Sequence, residues 1–99
     1  MTLAELTEEM HRFVNAKGWY EPNSQRPQTP RNLAASLAIE SAEVLEHFQW
    51  GEHIVDKAEL ASELADVALY LLQLASISRI DLEQAILEKL KANYDRTWE

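Results

Sequence analysis

The sequence predicts an all-α fold, and three observations carry that reading. Its 99 residues include only two Gly and three Pro, and these stand at breaks between apolar-periodic segments. Within the segments, apolar side chains recur every three or four residues, the period of one helix face. No stretch alternates apolar and polar residues as a half-buried strand does. Four helices are expected, with no internal repeat and no low-complexity tract.

Helix 1 is expected near residues 2–17, with Leu3, Leu6, Met10 and Phe13 on one stripe and Thr2 with Glu5 as a capping box. Residues 18–29 carry one Gly and two Pro and read as a long loop. Loops of that length without structure of their own are usually functional or disordered. Thr29-Pro30 reads as an N-cap followed by a first-turn proline, opening helix 2. Helix 2 is expected to run to about Trp50, with Gly51 as a left-handed stop. Asp56 and Glu59 form a second capping box for helix 3, near 56–77. Asp81 and Gln84 form a weaker one for helix 4, near 81–96. On helix 3, Leu60, Leu64, Val67 and Leu71 flank one side of an acidic stripe, while Leu69 and Leu72 lie on the far side. A helix apolar on nearly all sides is covered by more than one neighbour. In a chain of 99 residues the extra neighbour is expected to be another subunit, so that oligomerisation completes the four-helix bundle.

The length corresponds to one domain, 1–99. The absence of Cys excludes disulfides, thiolate metal sites and Cys nucleophiles. No uninterrupted apolar run approaches about 18 residues, and no basic-then-apolar leader opens the chain. A soluble, cytoplasmic protein without membrane association is expected. Of the net charge of −8, residues 37–66 account for −7, from eight acidic side chains and Lys57. So local an acidity argues against nucleic acid or an anionic membrane as partner of this surface.

That acidity is patterned. Glu40-x-x-Glu43 on helix 2 and Glu63-x-x-Asp66 on helix 3 each place two carboxylates about 5–6 Å apart at Cβ. Glu40 projects into an arc formed by Leu33, Leu37, Val44 and Phe48, and Glu43 flanks it. A carboxylate on an apolar stripe is costly unless paired or metal-bound. Four converging carboxylates, an oxygen-only donor set, suit a hard divalent cation such as Mg²⁺, with Mn²⁺ as the alternative. The solvated-helix-face reading competes, and Glu59 fits it because capping already explains it. His11 and His47 read as surface or bundle-edge residues. No Gly-rich phosphate loop is present, so phosphates would be held through the metal and through basic residues outside the acidic block, Arg31 and Lys89 among them. Trp19 and Trp50, at the ends of helices 1 and 2, are either packing residues or faces on which a base stacks. Trp98 reads as a packing anchor.

Taken together, these residues resemble the MazG-like superfamily of all-α nucleoside triphosphate pyrophosphohydrolases, whose signature is E-x-x-E followed on the next helix by E-x-x-D. Within it, the sequence is most similar to the dCTP pyrophosphatases, through Gly18-Trp19, Pro30 to Leu33, Phe48-Gln49-Trp50, Glu63 to Val67 with Tyr70, and Lys89-x-x-x-Asn93. The resemblance covers the chain from about residue 10. It departs at Met10, where the related dCTP enzymes carry a His; His11 is one place off and is expected to face elsewhere. The resemblance implies Mg²⁺ on Glu40, Glu43, Glu63 and Asp66, with Trp19 and Trp50 around the base. Lys89 and Asn93 would approach phosphate or sugar, and Tyr70 would support the site. It implies hydrolysis of a deoxynucleoside triphosphate to monophosphate and pyrophosphate, in a homodimer or homotetramer, with Glu43 favoured as the proton acceptor. Two other readings stand beside it: phosphoribosyl-ATP pyrophosphohydrolase, and a non-catalytic acidic helical partner-binding module.

Overall fold

A computed structural model describes residues 1–53 and 56–98, which form four α-helices and, among the described residues, no strand. The helices are α1 (Leu3–Ala16), α2 (Pro30–Glu46), α3 (Lys57–Ile77) and α4 (Leu82–Asp95). Each starts where a short polar side chain takes up an otherwise orphaned backbone N–H. Thr2 accepts from the Glu5 amide at 3.1 Å, and Thr29 from that of Asn32 at 3.2 Å. Asp56 accepts from Ala58 and Glu59 at 3.0 and 3.1 Å, and Asp81 from Gln84 at 3.1 Å.

The helix ends are less uniform. After α1, Gly18 adopts φ 74°, its amide bonding to Asn15 O and that of Trp19 to Val14 O. This paired closure needs a left-handed residue, which glycine supplies without steric cost. The same closure ends α3, where Ile80 N reaches Ala75 O at 2.8 Å and Arg79 N reaches Ser76 O at 3.0 Å. Here Arg79, a residue with a Cβ, takes the left-handed position at φ 59°.

Helix α2 departs from expectation. It stops at Glu46 instead of Trp50, because residues 47–51 close tighter, three-residue turns, such as His47 N to Val44 O and Phe48 N to Leu45 O. Gly51 does not take the left-handed conformation expected of it, since Gly18 alone among the glycines has positive φ.

Helix α3 is the spine, packing most extensively on α2, next on α1 and lightly on α4. The buried apolar residues are Met10 and Val14 of α1, Leu33 of α2, and Leu60, Leu72 and Ala75 of α3. Helix α4 buries none of its residues. Although no uninterrupted apolar run was expected, α3 is by length and composition apolar enough to cross a membrane. Its Ala and Leu content outweighs the carboxylates at Glu63 and Asp66, but those carboxylates make a lipid surrounding expensive. Trp98 is not the anchor expected: it is 62 % exposed, its Nε1 donates to Asn93 O, and the Arg96 guanidinium stacks 3.9 Å from its ring centre.

Candidate active site

The α2–α3 contact brings three of the four signature carboxylates together. Glu40, Glu43 and Glu63 each offer an oxygen, and these oxygens lie within 4.8 Å of one another. The spacing of three on α2 turns Glu40 and Glu43 to one side, towards the turn of α3 that carries Glu63. All three are half-buried. Asp66, one turn further along α3, is outside the cluster, yet its charge acts on both Glu40 and Glu63.

The electrostatics follow from that crowding. Burial, the adjacent Glu43 carboxyl and the remaining carboxylates push Glu40 up to about 7. Glu63 is raised as well, first by proton sharing with Glu43 and then by burial, with His47 acting in the opposite direction. Glu43 thus sits between its two neighbours. Glu40 Oε2 is buried without a hydrogen-bond partner among the described residues. An orphaned, buried carboxylate oxygen facing other carboxylates is costly in the protein alone. Its donor chemistry fits a hard divalent cation, and the residues present therefore suit such an ion. His47, expected at the edge, stands half-buried with Nε2 3.9 Å from Glu63 Oε1. Its position one turn after Glu43 was the sequence signal available.

Beside the carboxylates opens a cavity of about 400 Å³ with Asp66 on its margin and Trp19, Tyr70, Met10 and Phe13 in its walls. Trp19 is held edge-on by Phe13 at 5.6 Å between ring centres and is covered on another side by the Arg26 guanidinium at 5.5 Å. A smaller, more polar cavity of about 250 Å³ lies on the other side of Trp19 and Tyr70 and reaches Asn32 and Ser36, one turn before Glu40 on α2. Met10 lines the larger cavity, whereas His11 faces elsewhere, as expected, between Tyr20 and Ser76.

Four expected binding residues are not gathered here. Trp50 is 92 % exposed beyond α2, which excludes a core role. Arg31 is exposed on the first turn of α2, where its guanidinium reaches Asn32 Oδ1, and Lys89 is exposed on α4. Asn93, half-buried on the same helix, uses its carbonyl to hold Trp98.

Residues 28–97 match the model of the MazG nucleotide pyrophosphohydrolase domain. The chain belongs to that family. Among curated relatives, dCTP pyrophosphatase 1 of Homo sapiens is 36 % identical over 101 residues and that of Mus musculus 34 % over 101. Each alignment covers 93 % of this chain and 59 % of the relative, so the chain spans about three-fifths of the length of these proteins. Among solved structures, a pyrophosphatase from Archaeoglobus fulgidus superposes with a TM-score of 0.82 at 33 % identity, covering 97 % of this chain and 92 % of that one. A four-helix MazG-like fold accounts for both the helix order and the paired acidic motifs.

Proposed function

We propose that this chain is a Mg²⁺-dependent nucleoside triphosphate pyrophosphohydrolase that converts a deoxynucleoside triphosphate, of the dCTP type, to monophosphate and pyrophosphate. The observation that carries the reading is the half-buried Glu40–Glu43–Glu63 cluster, with Asp66, one turn further along α3, bordering an aromatic-walled cavity. Family membership supports the reaction, and the relatives' names support the cytosine nucleotide.

Glu40, Glu43, Glu63 and Asp66 would hold the ion, whose contribution when bound is to neutralise phosphate oxygens and acidify water. Glu43, lying between Glu40 and Glu63, is the residue assigned to accept a proton from the attacking water. Trp19 and Tyr70 wall the space for the base, where stacking on an aromatic face is worth about 1–3 kcal/mol per base. Arg31, Lys89 and Trp50, exposed, and Asn93, half-buried, lie away from the carboxylate cluster and join the site, in this reading, when two or four copies assemble in the cytoplasm.

A pyrophosphate-release screen over the eight common ribo- and deoxynucleoside triphosphates, with Mg²⁺ and with EDTA, tests the proposal. Release from a deoxynucleotide that depends on Mg²⁺ is expected. Silence across the panel overturns the enzymatic reading in favour of a binding module.

A further inference from the structure

Gln73, on α3, is the buried polar residue of the core, with 3 % of its surface exposed. Its Nε2 donates to Gln28 Oε1 at 2.8 Å and to the Tyr20 hydroxyl at 3.2 Å. The direction of these bonds is dictated from outside. Gln28 Nε2 donates to the backbone carbonyl of Arg26 at 2.6 Å, and a carbonyl only accepts. Turning Gln28 round would set its oxygen against that carbonyl and lose the bond, so its oxygen faces Gln73. The amide nitrogen of Gln73 must face Gln28 in return. The other branch has compatible polarity: the Tyr20 hydroxyl, 2.6 Å from His11 Nδ1, can accept from Gln73 while donating to His11. His11 Nε2, 2.7 Å from Ser76 Oγ, can then donate to Ser76.

What remains is Gln73 Oε1, which accepts no hydrogen bond among the described residues. Gln73 and Gln28 both line the cavity walled by Trp19 and Tyr70. An acceptor is thus presented at an otherwise largely apolar site, and its orientation is locked.

We propose that Gln73 is a specificity-determining residue of this cavity, its fixed carbonyl accepting from an exocyclic amino group on the base and refusing a keto oxygen in the same place. The inference rests on the nucleotide pyrophosphohydrolase reading and extends it to base discrimination. Cytosine and uracil are the matched pair: the 4-amino donor of cytosine is a 4-keto acceptor in uracil, and N3 changes with it from acceptor to donor. With uracil in the pose of cytosine, two acceptors oppose each other. Turning the Gln73 amide to relieve this brings its oxygen against Gln28 Oε1, so the clash is moved and not removed. A site built to hydrogen-bond one group rejects an analogue lacking it because the buried partner is left unpaired.

The experiment compares kcat/KM for dCTP and dUTP in wild type, Gln73→Leu and Gln28→Leu, with thermal melts and calorimetric titrations of dCMP and dUMP on each. Wild type is expected to favour the cytosine nucleotide by about tenfold or more. Gln73→Leu should bring the ratio to within about threefold by losing dCTP. Gln28→Leu leaves Gln73 in place but frees it to turn, so dUTP should improve, a gain that a merely structural role does not produce. A wild-type ratio near one, or a folded Gln73→Leu that keeps the preference, overturns the proposal while the hydrolase reading stands. If no triphosphate is hydrolysed, the hydrolase reading alone has failed, and monophosphate binding decides: preference for dCMP supports the proposal, and equal or absent binding overturns it. If Gln73→Leu does not fold, the response of Gln28→Leu decides.

Discussion

Glu40 shows what a single side chain costs and what that cost is for. Its carboxyl is pushed from 4.5 up to about 7, so between those values the folded chain binds more protons than the unfolded one. Stability of the metal-free protein therefore falls as pH rises through that window. At pH 8, Mg²⁺ should raise the melting temperature more than at pH 5, because in the proposed site the ionised cluster would bind the ion. A ligand at a hundred times its Kd contributes about 2.7 kcal/mol. Glu40→Gln should reverse the two signs: more stable than wild type at pH 8 in EDTA, yet with the Mg²⁺-induced shift and the activity largely gone. A Glu40→Gln variant with full activity would contradict the assignment. Trp50 gives the opposite kind of residue-scale test. At 92 % exposure, its replacement by Ala should change stability by no more than about 0.5 kcal/mol. If it stacks on the base in the assembled enzyme, KM for the best nucleotide should rise roughly 5- to 150-fold. An unchanged KM removes Trp50 from the site.

Individual helices were legible in proportion to how local their determinants are. All four N-caps could be read in advance, because Thr2, Thr29, Asp56 and Asp81 each bond a backbone amide two or three residues on. The carboxylate cluster was legible for the same reason, its i, i+3 spacing being a property of each helix alone. The end of α2 was not, since apolar periodicity continues through the tightened turns after Glu46 and carries no mark of the change. Gln73 was missed because a Gln among Leu and Ala reads as a surface residue; only residues 45 and 53 positions away make it a buried donor. Arg79 gave no signal either, as nothing in its side chain favours a left-handed backbone. That strain makes its own prediction: a left-handed residue with a Cβ costs about 1–2 kcal/mol, offset in part by glycine's greater unfolded freedom. Arg79→Gly should therefore raise stability by about 0.5–1 kcal/mol in denaturant titration. A loss would mean that the Arg side chain holds the turn.

The whole molecule has more surface than a chain of its length needs. Its radius of gyration is 16.0 Å, and its extents are 48 × 36 × 27 Å; a globule of this length has a radius of gyration of about 13 Å. Leu64 and Leu71 of α3 are 51 % and 40 % exposed, and Leu87 and Leu90 of α4 are 56 % and 51 % exposed. Exposed apolar side chains on both helices fit the expectation that another subunit covers these faces. A dimer or tetramer is expected by light scattering at micromolar concentration, and Leu64→Glu or Leu90→Glu should shift it towards smaller species. A wild-type monomer at that concentration contradicts the assembly. Helix α3 also governs the molecule in another way. Glu63, Asp66, Tyr70 and Gln73 follow one another at intervals of three and four residues, so a single rigid rod fixes the separation of the Glu63 carboxylate and the Gln73 amide at about 15 Å along its axis. It fixes their relative angle too. Deleting one residue from that interval, Ala68 for instance, shortens the rod by only about 1.5 Å but turns everything beyond it by about 100°. Every side chain of the proposed site would survive and the helix content would hardly change, yet the two ends of that site would face different directions. Phase along α3, more than the inventory of residues on it, is what a frame-preserving deletion would destroy.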